Sequence, residues 1–412
     1  MSEIVIAGGG AAGMFCAAYA SELGHRVTIA EHNEKLGKKL FITGKGRCNF
    51  TNHCSPEEFL AHVLTNSRFL YSAAYGLTPD DVIACFERWG LASKTERGRR
   101  VFPVSDHSSD VIAAMERVLR KNRVKVLLHT EALRIVTADG AVTGLAVKKG
   151  DAESILPADY VVIACGGLSY PSTGSTGDGY LLAKAAGHTV TETSPSLVPI
   201  VCEGEYIRQM QGLSLKNVSL TISDGRRVLF SEQGEMMFTH FGITGPLVLS
   251  ASAVMGDRIG RGALVSAIDL KPALTEEQLD GRIIRIVNEN PNKALKNILH
   301  ELYPQKMHAV ILSLAGIAPD TKLHDLTKPM RAELVRVTKH FPLTLAALRG
   351  YNEAVVTKGG VSVKEIDPRS MQSRKVKGLC FIGEVLDLDA FTGGYNLQIA
   401  WCTAAACAEH FS

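Results

Sequence analysis

Ile4-Val5-Ile6-Ala7-Gly8-Gly9-Gly10-Ala11-Ala12-Gly13 is the stretch that decides how this chain is read. Residues 3–7 form a short apolar run of the kind found in buried strands, and Met14 to Leu23 is Ala-rich and helix-forming. Between them stands Gly8-x-Gly10-x-x-Gly13. The first glycine allows the tight turn, the second lets the backbone approach a pyrophosphate, and the third lets helix pack on strand. Ala11 and Ala12 complete the turn at the helix N-terminus, where unpaired N–H groups and a partial positive charge suit phosphates. Arg26 to Ala30 alternates as a second strand and ends at Glu31, eighteen residues after Gly13. That carboxylate suits the hydroxyls of an adenosine ribose and opposes a 2′-phosphate, which argues against NADP at this site. Strand, turn, helix, strand and acid in register predict a dinucleotide site. The alternative is a turn-rich α/β start without a ligand.

The whole chain is consistent with that start. Its 412 residues exceed one compact core and suit two or three domains. Lys+Arg 45 against Asp+Glu 42 gives +3, so bulk charge does not favour nucleic acid or an anionic membrane as a partner. Hydrophobic content of 46% with 21% charged residues excludes a disordered chain. The 6% aromatic share is thin for a stacking nucleic-acid platform. Met1-Ser2-Glu3 leads straight into a strand with no basic n-region, so no signal peptide is expected. No run of about 18 apolar residues predicts a membrane helix. Nine cysteines, scattered without a C-x-x-C pair and with no two five apart near a flavin-type loop, suit reduced thiols in a cytoplasmic protein and no metal site.

Residues 32–55 read as one long polar loop, and a loop beyond about 15 residues inside a domain is usually functional. Its Lys38-to-Asn52 segment combines cations, amides, hydroxyls and glycines without apolar periodicity. It reads as a cradle for the pyrophosphate, ribityl chain and ring edge of a large cofactor, or as a solvated basic loop. Helical patterns follow at 56–64, 79–89 and 108–122, the last with Asp106, Ser108 or Ser109 as cap. Strands are expected at 124–128 and 160–164, flanking a meander at 132–137, 141–148 and 153–156 that turns at Asp139-Gly140. A helix at 178–186 follows. After Ser194 the pattern becomes strand-rich, at 197–203, 215–223, 226–231, 235–239 and 263–269, with a helix at 246–255. Helical periodicity over 275–338 is broken at Pro291, Pro304, Pro319 and Pro329. The strand at Leu379 to Gly383 and the helix at 396–409 return to the first grammar, so the chain leaves its first domain and comes back.

Thr43 to Asn52, T-G-x-G-R-C-N-x-T-N, resembles the signature of the BaiN/YhiN-like FAD-dependent flavoproteins, a family that includes an aminoacetone oxidase. The resemblance continues through Gly98-Arg99-Arg100-Val101-Phe102-Pro103, Ala164-Cys165-Gly166-Gly167, the Phe238-to-Pro246 block and Thr357-Lys358-Gly359-Gly360-Val361. It ends in Gly383-Glu384-Val385-Leu386-Asp387 and Thr392-Gly393-Gly394-Tyr395-Asn396. Two differences stand out: Cys165 replaces the usual Thr, and Glu384 stands, as in the narrower family, where the wider fold commonly has Asp.

The resemblance implies an α/β fold, a Rossmann-like two-dinucleotide-type FAD domain interrupted by a β-barrel-like domain with a small helical insertion. The corresponding boundaries are 1–194 plus 351–412, 195–270 plus 331–350, and 271–330. FAD contacts are then expected at Gly8, Gly10, Ala11, Ala12, Gly13, Glu31 and His32. In the loop they fall at Lys39, Thr43, Gly44, Gly46, Arg47, Cys48 and Asn49, and by fold position at Glu131 and Ala132. The remaining contacts are expected at Ala164, Cys165, Gly166, Gly167, Gly383, Glu384, Gly394, Tyr395, Asn396 and Leu397. The final helix would aim its N-terminus at the pyrimidine side of the flavin, where charge develops on reduction.

His240 is the candidate proton donor, against a structural loop histidine as the alternative. Cys48 suits a ring-side position or a small buried hydrophobe. Arg97, Arg99 and Arg100 suit a carboxylate or phosphate clamp, or a solvated loop. The expectation is an FAD-dependent oxidoreductase, with FAD non-covalent, moving a hydride through flavin N5 to reduce a small organic substrate. NAD(P)H would be a transient donor, because no second G-x-G-x-x-G exists to cradle it. An O2-linked amine oxidase, a flavin-dependent RNA-modifying enzyme and a non-catalytic flavin-binding regulator remain open.

Overall fold

The computed structural model describes residues 1–261 and 264–412, and the chain divides into two compact units. The first comprises Met1–Ser196 and Tyr351–Ser412, the second Leu197–Gly350.

The first unit is built on a five-stranded parallel sheet in the order Leu379–Phe381, Tyr160–Ile163, Glu3–Ala7, Arg26–Ala30, Lys125–Leu127. The chain adds strands on one side of Glu3–Ala7 and then on the other. That reversal opens a crevice beyond the carboxyl ends of Glu3–Ala7 and Tyr160–Ile163, the usual ligand position in such sheets. Helices Ala11–Glu22 and Tyr395–Ala408 lie together in the core. Their buried faces are Ala- and Cys-rich (Ala17, Ala18, Ala404, Ala405, Cys407), so the backbones approach closely. Phe15 fills the remaining space, its ring 5.2 Å from both Trp89 and Trp401. The antiparallel meander Glu131–Ala138, Ala141–Lys149, Ala152–Pro157 turns at Asp139 (φ 50°) and Gly140 (φ 77°), a pair of left-handed residues suited to a two-residue hairpin.

The second unit is a closed six-stranded barrel, in the order Ile200–Glu203, Gly242–Thr244, Val228–Phe238, Ser214–Ser223, Val265–Asp269, Phe341–Leu348. Helices Glu276–Glu289, His308–Ala315 and Lys328–Lys339 bury Leu279, Ile283, Ile311 and Leu334 in the same core as barrel residues Leu220, Phe238 and Phe341.

Several local expectations change. The strands read at 226–231 and 235–239 are one strand, Val228–Phe238, because pairing with Ser214–Ser223 runs on through Gly234. The strand read at 263–269 begins at Val265, and Ala263 lies outside the described residues. The long loop holds a short helix, Lys38–Ile42, and a 3-10 turn, Thr43–Gly46. Helix Ser108–Lys121 follows His107, with no side chain bonding its N-terminus. The strands Ser93–Glu96 and Arg100–Pro103 are only four residues each and emerge only through pairing.

One buried-edge carboxylate predicts acid behaviour. Glu365 accepts from the N–H of Thr189 (2.8 Å), its hydroxyl (2.9 Å) and Lys375 Nζ (2.7 Å). Burial alone would raise its pKa. The Lys375 ammonium and the two Thr189 donors outweigh burial and hold it at about 2 against an ordinary 4.5. The stabilisation is therefore complete above pH 4.5 and is lost as pH falls towards 2. Glu365→Gln should lower stability at neutral pH by at most about 3 kcal/mol and flatten the rise of the melting temperature over that window. Equal pH dependence in wild type and variant would show that another group governs acid stability.

Candidate functional site

The crevice at the strand ends is a cleft whose space, open mouth included, is about 1310 Å³. Its three motif glycines act for three different reasons. Gly8 has φ +105°, and a Cβ there would meet Ala164 O at 2.6 Å. At Gly13 a Cβ would meet Gly8 O at 2.0 Å, so this glycine permits helix–strand contact. A Cβ at Gly10 would meet nothing within 4 Å. It would project into the open cleft that Gly10 lines. Helix Ala11–Glu22 begins there with no side-chain cap and no acid in its first turn, so its N–H groups remain available to an anion.

Glu31, buried, stands at one end of the cleft. Its Oε2 accepts from Gly9 N (2.6 Å), and its Oε1 accepts from Asn33 N (2.8 Å) and Asn33 Nδ2 (2.7 Å). The carboxylate thus fixes the glycine turn as well as offering its remaining lone pairs to a ribose. His32, Asn33, Thr130, Gly174 and Asp178 surround it. Glu31→Ala should weaken FAD binding by about 1–3 kcal/mol, measured by titrating apoprotein with FAD. Unaltered affinity would place the ribose elsewhere.

Further along, Lys39 Nζ donates to Glu384 Oε2 (2.7 Å) and Ser169 Oγ (2.6 Å), while Glu384 Oε1 accepts from Ser169 Oγ (2.8 Å) and Thr357 N (3.0 Å). This network ties the long loop, the turn after Tyr160–Ile163 and the returning chain to one point. The far end is lined by Thr43, Val355, Val356, Leu388, Asn396 and Leu397. Glu31 would take the adenosine end of a dinucleotide, which would leave this end for the second ring system.

Gly8, Gly10, Ala11, Ala12, Glu31, His32, Lys39, Thr43, Ala132, Ala164, Cys165, Gly166, Glu384, Asn396 and Leu397 line the cleft. Other expected contacts do not reach its lining. Gly13 and Gly383 serve packing, the latter with its Cα facing Ala12 Cβ. Gly167 faces Thr357 and Tyr180. Gly44 and Gly46 shape the 3-10 turn, and Gly394 caps the last helix at φ 98° against Thr51 O. Arg47 is spent on Glu96 and Asp106, at 2.5 Å each. Cys48 is fully buried, and burial pushes its thiol up to about 12, so it is a small core residue. Asn49 lies beside it with a buried, unpartnered Oδ1. Glu131 is exposed, and Tyr395 stacks on His62 at 4.2 Å. Asn396 lines the cleft, but its side chain brackets Ala390, accepting from its N–H (3.0 Å) and donating to its C=O (2.8 Å). Cys165 Sγ donates to Ala7 O at 3.4 Å. His240 belongs to the second unit, exposed and edge-on to Phe241 at 5.0 Å. Among the lining residues that sequence reading missed, Asn33 was signalled by its place after Glu31. Val355 and Leu388 carry no local signal.

The open cradle at Gly10, the uncapped helix and the acid at the ribose end fit an FAD. A family model described as HI0933-like protein Rossmann domain matches residues 2–410. The chain belongs to this FAD-binding Rossmann family. The resemblance to BaiN/YhiN-like flavoproteins holds, and with it membership of an FAD-dependent oxidoreductase family. This flavoprotein is 32% identical over 410 residues to a ribosomal RNA dihydrouridine synthase of Escherichia coli (strain K12), covering 99% of this chain and 97% of the relative. It is also 32% identical over 416 residues to a 3-dehydro-bile acid delta(4,6)-reductase of Clostridium scindens, covering 98% and 97%. In fold it is similar to the 3-ketosteroid delta1-dehydrogenase of Sterolibacterium denitrificans, with TM-score 0.58, 14% identity and 99% of both chains covered. The Rossmann-like FAD-type fold with an inserted six-stranded barrel is therefore shared with known flavoenzymes. No helix among the described residues is long and apolar enough to cross a membrane.

Proposed function

We propose that this flavoprotein is a reductase of a carbon–carbon double bond conjugated to a carbonyl, and that its substrate is a uracil base in RNA. The observation that carries the reading is the full-length match to relatives whose names describe one chemistry. Dihydrouridine is uridine with the ring double bond beside a carbonyl saturated, and a 3-dehydro-bile acid delta(4,6)-reductase saturates double bonds in conjugation with a ketone. Ribosomal RNA is named for relatives from two organisms, Escherichia coli and Haemophilus influenzae.

When bound, FAD supplies hydride transfer through its N5. The chain's own residues would hold and orient it: the helix at Ala11 would take the pyrophosphate, Glu31 the ribose, and Glu384 with Lys39 the middle of the cofactor. Reduction of a conjugated bond also needs a proton on the neighbouring carbon, and His240 is our candidate donor. Reduced nicotinamide is the proposed electron source, bound transiently. A cytoplasmic place suits such a substrate. A second reading, a small enone as substrate, is favoured by the Clostridium scindens relative at the same identity.

The protein should purify yellow and release intact FAD on denaturation, and anaerobic NADH or NADPH should bleach it. Incubated with NAD(P)H and ribosomal RNA transcribed in vitro, it should add two hydrogens to a uridine, read by mass spectrometry of nuclease fragments. Saturation of a steroid-type enone with untouched RNA would overturn the RNA substrate and favour the second reading. Released FMN would overturn the cofactor assignment. Flavin that ignores NAD(P)H yet turns over an amine with O2 would overturn the reductase.

A further inference from the structure

The hairpin joining Ser93–Glu96 to Arg100–Pro103 has the tip Arg97-Gly98-Arg99, all exposed. Asn52, buried, donates through Nδ2 to both Gly98 O (3.0 Å) and Gly393 O (3.0 Å), and His53 N donates to Arg99 O (2.8 Å). The tip is therefore fastened to the Gly393-Gly394 turn that opens helix Tyr395–Ala408. Asn396 and Leu397 of that helix line the far end of the cleft. The Thr43–Gly46 turn lies on the same rim, since Gly44 faces Phe102 of the hairpin and the Arg47 guanidinium stands 4.3 Å over the Phe102 ring.

The cations on this rim are unequally compensated. Arg47 is paired twice and Arg99 once, with Glu58 at 2.5 Å. Among the described residues, Arg100 donates only to the backbone oxygen of Arg97 (3.0 Å), and Arg97 and Lys45 have no carboxylate partner. Lys45 (φ 57°) and Arg99 (φ 55°) hold left-handed backbone, where glycine or asparagine would sit without strain. A solvated loop has no need of cations at such positions.

We propose that Arg97, Arg100 and Lys45 bind the phosphates flanking a target nucleotide while its base enters the cleft at the flavin end. This rests on the RNA reading above. Phosphate contacts position a polynucleotide without reading sequence, and an enzyme acting on a base must draw it out of its stack. A rim of uncompensated cations beside a cleft meets both needs.

The test replaces Lys45, Arg97 and Arg100 by Gln in the FAD-loaded protein, with Arg134→Ala plus Lys149→Ala on the meander as a surface-charge control. Binding of a ribosomal RNA hairpin oligonucleotide is followed by fluorescence anisotropy across a salt series. The triple variant should bind at least about tenfold more weakly at low salt and lose roughly two to three from the log–log salt slope. FAD content and reduction by NADPH should match wild type, and the control should bind as wild type. Wild-type RNA affinity and slope in the triple variant would overturn the proposal and leave the RNA reading standing. An increased NADPH requirement with unchanged RNA binding would also overturn it, assigning the rim to the donor's phosphates. Wild-type protein with no salt-dependent RNA affinity would overturn the RNA reading itself, and this proposal with it.

Discussion

Gly10→Val yields a folded protein that no longer holds FAD. The backbone at Gly10 (φ −79°, ψ −164°) is extended and open to any residue, and no atom stands within 4 Å of its Cβ position. The fold therefore tolerates the substitution. The cleft does not, because the isopropyl group occupies the space where the helix N-terminus meets a pyrophosphate. Displacing the phosphates loses charged hydrogen bonds of about 1.5–3 kcal/mol each and adds about 1–3 kcal/mol of steric strain. FAD affinity should drop by roughly two to four orders of magnitude. Thermal melting and circular dichroism should stay near the apoprotein's, while absorbance of bound flavin disappears. Gly13→Ala makes the contrast: its Cβ falls 2.0 Å from Gly8 O, so that variant should lose stability before cofactor affinity can be measured. Wild-type FAD affinity in Gly10→Val would put the cofactor outside this cleft.

His240→Ala tests the proposed proton donor, with cofactor content as its control. The Thr239 hydroxyl accepts from Gly242 N (3.1 Å) and keeps the turn without help from the imidazole, whose described neighbour is the Phe241 ring. FAD content, spectrum and the rate of reduction by NAD(P)H should be unchanged. Turnover of substrate should fall by about 10²–10⁴-fold, the usual worth of a general acid. Loss of FAD would make His240 structural. Unaltered turnover would make it a bystander and leave the proton to another group.

The readings that succeeded from sequence rest on local physics. Three glycines, an Ala-rich helix and an acid at a strand end each answer a constraint of volume or backbone angle within about thirty residues, so pattern alone suffices. The Asp139-Gly140 hairpin is of the same kind. The loop from Thr43 to Asn49 shows where pattern stops. Its composition suits a cofactor cradle throughout, yet only Thr43 of the residues expected there lines the cleft. Arg47 turns away because Glu96 and Asp106 meet it from the hairpin and the loop after it.

Only packing brings Lys39 to Glu384 across 345 positions, and only packing spends the Asn396 amide on Ala390. Val355 and Leu388 become cleft residues because the chain returns to lay Leu379–Phe381 beside Tyr160–Ile163, and an apolar side chain carries no mark of that destination. The same holds for the basic hairpin. Its charges are plain in the sequence, but their place beside the turn that opens the last helix depends on one buried Asn52 bonded to two distant carbonyls. Local sterics write themselves into neighbouring residues, whereas long-range hydrogen bonds and shared walls are created only when the chain closes on itself.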